Sequence, residues 1–142
     1  MSEIVRCDRG DYAVLAGIWE RSVLATHGFL DDVAFEEIKV ALQADYFPCV
    51  ELYAVSEHDA LVGFIGLHGD MIEMLFVDDG CRGCGYGSIL VEFAVRRGAV
   101  KVDVNEQNPS ALAFYQSKGF RIIGRDATDD AGRPYPILHL SL

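Results

Sequence analysis

Hydrophobic positions in this chain follow two rhythms, and the switches between them mark out the elements. Ile4-Val5-Arg6 reads as a short opening strand, with Asp8 or Asp11 placed to cap the next helix. Leu15, Ile18, Trp19 and Val23 recur at helical spacing and predict that helix as an amphipathic one, which His27-Gly28 interrupts. Val33, Ile38 and Leu42 predict a second helix over Asp32–Ala44, with Glu36 and Glu37 near its start. Asp45-Tyr46-Phe47-Pro48 reads as a loop. Three strands then come in quick succession, Val50–Ser56, Leu61–Leu67 and Met71–Val77, separated by Glu57-His58-Asp59 and His68-Gly69-Asp70. Connections this short predict an antiparallel meander.

The remainder alternates between helix and strand. The apolar run Ile89, Leu90, Val91, Phe93, Ala94, Val95 predicts a helix ending at Gly98. Val100–Val104 alternates as a strand, and the intervening helix predicts that it runs parallel to Met71–Val77. Asn108 and Pro109 open a helix over Ser110–Lys118 that stops at Gly119. Phe120–Gly124 and Ile137–Leu142 are the closing strands, with the polar, turn-rich Asp126–Pro136 between them. The order is β-α-α-β-β-β-α-β-α-β-β: an α/β fold with a mixed seven-stranded sheet and four helices.

Composition narrows the classes of protein this can be. The chain has 142 residues, 51% of them hydrophobic, which suits one domain over residues 1–142 with a sizeable core. No apolar run is long enough to span a membrane, and the first residues lack a signal peptide's apolar segment, so a cytoplasmic protein is expected. A net charge of −10 argues against nucleic acid and anionic membranes as partners, and is compatible with a cationic substrate. It leaves room for an anionic cofactor, because a phosphate site needs only local N–H groups and cations. Cys81-x-x-Cys84 invites a zinc or redox reading. Cys7 and Cys49 stand alone and the histidines are scattered, so two reduced thiols and no metal are expected.

The chemistry concentrates between the third strand and the helix after it. Asp78, Asp79 and Gly80 form a turn, followed by Arg82-Gly83-Cys84-Gly85-Tyr86-Gly87-Ser88. Glycines at a helix start let backbone N–H groups crowd around an anion, the helix dipole adds positive potential, and Arg82 adds a cation. The string resembles the Arg-x-x-Gly-x-Gly signature of GNAT-type N-acetyltransferases, met by Arg82, Gly85 and Gly87. Asn108 to Phe120 resembles that family's second cofactor motif, Asn-x-x-Ala-x-x-Phe-Tyr-x-x-x-Gly-Phe. The element order is also that of the GNAT fold, so the resemblance spans the chain. Trp19–Val23, Ala25–Leu30, Val104–Asn108 and Pro134–Leu138 are similar to small bacterial members of the family.

A dinucleotide-binding unit is the rival for the glycines: Gly83-x-Gly85-x-x-Ser88 mimics its fingerprint, with Asp103 as the ribose acid. The serine in third place, the Asp78–Arg82 spacer and the preceding meander count against it. The resemblance implies acetyl-CoA as co-substrate and an amine acceptor, protein or small molecule, and leaves room for a homodimer. It implies that Leu75, Phe76 and Val77 pair with the pantetheine arm, and that Gly83, Cys84, Gly85, Tyr86, Gly87 and Ser88 take the pyrophosphate with Arg82. Asn108 is a helix cap that the resemblance also brings to the arm, and Asn105 ends its strand beside the acyl site, where it meets cofactor, substrate or water.

Two residues bear on catalysis. Tyr115 is a core aromatic by periodicity; the resemblance implies a general acid for the CoA thiolate. Glu73 is a wet-face residue of an alternating strand, or the base for an ammonium acceptor, and a β-bulge would change which face it shares. His27 and Tyr12 read as structural residues, in segments that the resemblance places on the acceptor side. Asp31, Asp32, Asp129 and Asp130 read as solvated loop acids, or as acids that attract a cationic acceptor. An acyl-CoA sensor on the same fold, without turnover, is the alternative to the enzyme.

Overall fold

The computed structural model describes residues 3–26, 32–81, 83–129 and 132–142. Strand β1 (Glu3–Arg6) leads through a 3₁₀ turn over Arg9–Asp11 into helix α1 (Tyr12–Thr26). Both acids act at that turn: the Asp8 carboxylate accepts from Gly10 N–H, and Asp11 accepts from Asp8 N–H. Helix α2 (Asp32–Ala41) is three residues shorter than its periodicity predicts. The chain widens into a π turn over Leu42–Tyr46 and tightens into a 3₁₀ turn over Phe47–Cys49, where a loop is expected. Phe47 explains the departure: it is fully buried, 5.2 Å from Tyr12 and 5.7 Å from Phe64 between ring centroids, so this segment belongs to the core.

The meander continues the chain as β2 (Glu51–Glu57), β3 (Ala60–His68) and β4 (Met71–Val77). His58 and Asp59 close the first hairpin with φ of 53° and 63°, the left-handed pair that a two-residue turn requires. Helix α3 (Tyr86–Arg96), β5 (Lys101–Asn105), α4 (Pro109–Ser117), β6 (Arg121–Asp126) and β7 (Ile137–Ser141) complete the chain. Among the described residues, no helix is long and apolar enough to cross a membrane.

The seven strands form one sheet in the order β1-β2-β3-β4-β5-β7-β6. β4 and β5 are parallel, as the crossover through α3 requires, and the other neighbouring pairs are antiparallel. This mixed arrangement removes the dinucleotide-binding rival, and Asp103 instead accepts a hydrogen bond within the sheet from His139.

Helices cover both faces. On one side Leu15, Ile18, Trp19 and Val23 of α1 pack with Phe47, Leu52, Ala54 and Phe64. On the other, Leu90, Val91 and Ala94 of α3 and Tyr115 of α4 pack with Val55, Ile65, Ile72, Val102 and Leu140. Two irregularities in the middle of the sheet make the site. β4 and β5 pair only at Met71–Lys101 and Ile72–Val102, then part company. Between β3 and β4, Gly66 pairs with Met74 and Leu67 with Ile72, which leaves Glu73 as the extra residue of a β-bulge.

Candidate active site

Where β4 and β5 diverge, the sheet opens into a slot. A cavity of about 800 Å³ is lined on the β4 side by Ile72 to Val77, on the β5 side by Val102 to Asn105, and at its ends by the starts of α3 and α4. A volume of this order suits an extended small-molecule ligand. A second cavity, of about 630 Å³, lies among α1, α2 and the β6–β7 connection, with Trp19, Ile38, Tyr46, Met74, Phe76 and Tyr135 among its walls. The two share four residues: Glu73, Met74, Phe76 and Asn105. Glu73 stands at that junction because of the bulge, which re-aims a side chain that strict alternation would assign by parity alone.

Leu75, Phe76, Val77, Gly87, Asn105, Asn108 and Tyr115 all line the slot. Asn108 does both things expected of it there: it borders the cavity, and its side-chain oxygen accepts from Ala111 N–H at 3.2 Å to cap α4. Two turns of α4 bring Tyr115 back to the same cavity. Its ring is buried against Phe114 and Phe120, at 5.2 and 5.6 Å between centroids. Burial pushes its phenol well above the ordinary pKa of 10, so it stays protonated near neutrality.

Of the glycine-rich turn only Gly87 lines the slot; Gly83 to Tyr86 and Ser88 do not. Gly83, Cys84 and Gly85 are exposed; Tyr86 and Ser88 are half-buried in the first turn of α3. Gly83 and Gly85 have φ of 81° and 85°, with nothing within 4 Å of a β-carbon built on either. Backbone conformation, not crowding, therefore demands glycine at both. Gly87 differs: a β-carbon there would meet Phe114 Cζ at 3.3 Å. With these glycines, the α3 N-terminus offers open N–H groups at one end of the slot, the chemistry an anionic diphosphate needs.

Tyr12 packs on Phe47 and borders neither cavity. His27, Asp31, Arg82 and Asp130 lie outside the described residues. No disulfide links the four cysteines.

Several contributors carry no motif. Ser22 reaches the slot from α1, and Trp19, Ile38, Tyr46 and Met74 wall the second cavity. Trp19 and Ile38 signal only ordinary core periodicity, Met74 only an apolar strand, and Ser22 and Tyr46 nothing at all. Arg133 also lines that cavity and bridges Glu37 of α2 at 2.6 Å and Asp129 at 3.2 Å, tying the β6–β7 connection to α2. Its charge is thus met by Glu37 and Asp129, while Asp45 and Glu73 face the same space, so the acids of the lining outnumber its arginine and favour a cation. Arg21 fixes α1 to the end of β4 with a bidentate pair to Asp78, Nε–Oδ1 at 3.0 Å and Nη2–Oδ2 at 2.8 Å. That hydrogen bonding holds the Asp78 carboxyl below its usual range.

Comparison with known proteins agrees with this architecture. The family model of the acetyltransferase (GNAT) domain matches residues 49–122. The chain is 43% identical over 129 residues to the peptidyl-lysine N-acetyltransferase YjaB of Escherichia coli strain K12, covering 89% of this chain and 87% of that protein. The solution structure of apo YjaB from E. coli superposes with a TM-score of 0.91 at 38% identity, over 99% of this chain and 97% of that one. A structure of YncA from Salmonella typhimurium with acetyl-CoA shares the fold, with a TM-score of 0.69 at 18% identity over 100% and 93% of the two chains.

Proposed function

The chain belongs to the GNAT acetyltransferase family, and we propose that it moves the acetyl group of acetyl-CoA directly onto a primary amine, most favourably the side-chain amine of a peptide lysine. One observation carries this reading: two cavities of different character meet at Glu73 and Asn105. The slot between β4 and β5 suits a long, thin arm ending in an anionic diphosphate. The second cavity, with aromatic walls and acids, suits an aliphatic arm ending in an ammonium group. The name of the YjaB relatives supports a lysine as that arm. Residues 1–142 act as one catalytic domain.

The chain's own groups divide the work. Backbone N–H groups of Gly83–Ser88 hold the diphosphate, and N–H groups around Leu75–Val77 hold the arm and polarise the thioester carbonyl. Glu73 takes the ammonium proton, directly or through water, because only the neutral amine attacks. Tyr115 donates to the sulfur as it leaves. No cysteine is acylated.

The test is a mass-spectrometric assay of acetyl-CoA with lysine peptides and a panel of small amines, alongside a CoA titration by calorimetry. Acetylated lysine in the parent, lost on Glu73→Gln with CoA affinity kept, is the expected result. CoA binding with no turnover on any amine would favour an acyl-CoA sensor.

A further inference from the structure

Asn105 is the residue whose side chain the proposed chemistry leaves unassigned. It ends β5, opposite Ile137 of β7, and lines both cavities. Both of its oxygens take part in the turn that follows. The side-chain oxygen accepts from Gln107 N–H at 2.8 Å, and the main-chain oxygen accepts from Asn108 N–H at 3.0 Å; together they build the turn into α4. Because Gln107 N–H is a donor, the amide must turn its oxygen toward it. With the oxygen turned to that bond, the Nδ2 end carries the amide's two N–H donors.

The strand register says what stands across from it. The last β4–β5 pair is Ile72–Val102. Three residues further along each strand, about 10 Å at the usual rise, Asn105 comes close to the level of Leu75 across the opened slot. Both residues line that slot. The acyl carbonyl held by β4 N–H groups would lie between them, and Glu73, a carboxylate, stands at the same junction on the attacking side. A carbonyl oxygen that gains negative charge needs donors, and the Asn105 amide has two N–H groups to give.

We propose that Asn105 Nδ2–H is a second hydrogen-bond donor to the thioester carbonyl oxygen, acting from β5 across the slot from the β4 backbone. This assignment rests on the acetyl-transfer reading above. In the step it serves, the acceptor nitrogen bonds to the carbonyl carbon and electrons move onto the oxygen, where Asn105 holds them. They return as the carbon–sulfur bond breaks with its pair on sulfur. The nitrogen sheds two protons: the first leaves the ammonium through Glu73 to solvent before attack, and the second leaves the tetrahedral intermediate through water and replaces the one that Tyr115 gives to the sulfur.

The decisive variant is Asn105→Asp. An aspartate accepts from Gln107 N–H as the asparagine does, so the turn survives, but the donor is gone. With acetyl-CoA and an acceptor lysine peptide, kcat should fall about 10²–10³-fold, the usual loss for one such donor, with CoA affinity and the peptide KM within about threefold. Asn105→Ser, neutral and too short to reach across, also keeps a turn acceptor. It should lose a similar factor, and it replaces the aspartate should that variant not fold. Isotope-edited infrared spectroscopy of ¹³C-acetyl-CoA bound to the parent should show the carbonyl band lowered from its position in water, with part of that lowering lost in both variants. Parent-like kcat and an unmoved band in the variants would overturn the assignment, and so would a loss confined to the aspartate, which would mark charge repulsion. A silent parent would overturn the acetyltransferase reading, while the infrared band would still decide whether Asn105 is the donor.

Discussion

At the scale of single residues, Tyr115 and Gly85 separate chemistry from scaffolding. Tyr115 is packed edge-on by Phe114 and Phe120, and its burial keeps the phenol protonated. Tyr115→Phe removes one oxygen and leaves that packing intact, so unfolding stability and CoA affinity should barely change. The turnover number on any accepted amine should fall by roughly 10²–10⁴, the usual contribution of a positioned acid; equal turnover would reduce Tyr115 to a core ring. Gly85 makes a different demand. It caps α3 at φ 85°, a conformation that costs any residue with a β-carbon. Gly85→Val should weaken CoA binding by more than about tenfold, or about 1.4 kcal/mol, in a protein that still folds. Unchanged CoA affinity by calorimetry would remove the diphosphate from this turn. The sequence motif names both residues, yet it cannot tell a glycine needed for φ from one needed for space. Gly85 proves to be the first kind and Gly87, against Phe114, the second.

At the scale of elements, the bulge in β4 and the turn before α3 shape the junction. Gly66, opposite Met74 beside the bulge, has no room for a β-carbon: one built there would sit 2.8 Å from Met74 Cγ and 3.0 Å from Val50 Cγ2. Gly66→Val must push Met74, which walls both cavities. Overpacking of this kind costs about 1–3 kcal/mol, read from urea unfolding, and kcat/KM should fall at least about tenfold. A variant as stable and active as the parent would show that the meander absorbs the change. The turn carrying Cys81 and Cys84 leads to a second expectation. If both serve only as free thiols, the Cys81→Ser, Cys84→Ser double variant should keep its fold and its CoA affinity. Metal analysis of the parent should then find no stoichiometric zinc; one zinc per chain, lost in the variant, would contradict this. Element types were readable from the chain because period and turn chemistry act over a few residues. The π and 3₁₀ turns over Leu42–Cys49 were not, because Phe47 is drawn into the core by Tyr12 and Phe64, which lie far away in sequence.

At the scale of the whole molecule, the sheet joins its late strands through His139. From β7 it bridges Asp103 of β5 at 2.6 Å and Asp126 of β6 at 2.7 Å. The hydrogen bond to Asp103, then that to Asp126, raises the histidine above its ordinary pKa of 6.5. A raised folded-state pKa means that folding favours the protonated ring. The resulting stability is fully present below about pH 6.5 and fades as pH climbs through the folded value. The difference in Tm between the parent and His139→Gln should therefore be widest on the acid side and shrink toward alkaline pH. A difference that stays constant between about pH 5 and 9 would show that the bridge does not depend on charge. This bridge exists because β7 inserts between β5 and β6, an order that local pattern does not disclose. Ile137–Ser141 alternates as well for one neighbour as for another, and its place is set by which sheet edge remains open once the crossover through α3 has put β4 beside β5. The strands, the helices and the parallel crossover could be read from the chain alone, since each rests on periods, caps and turn residues within a short window, and the two motif stretches could be matched to the family. The bulge that turns Glu73, the parting of β4 from β5 and the meeting of two cavities at Asn105 could not. They are properties of strands in contact, and they appear only when residues tens of positions apart pack against one another.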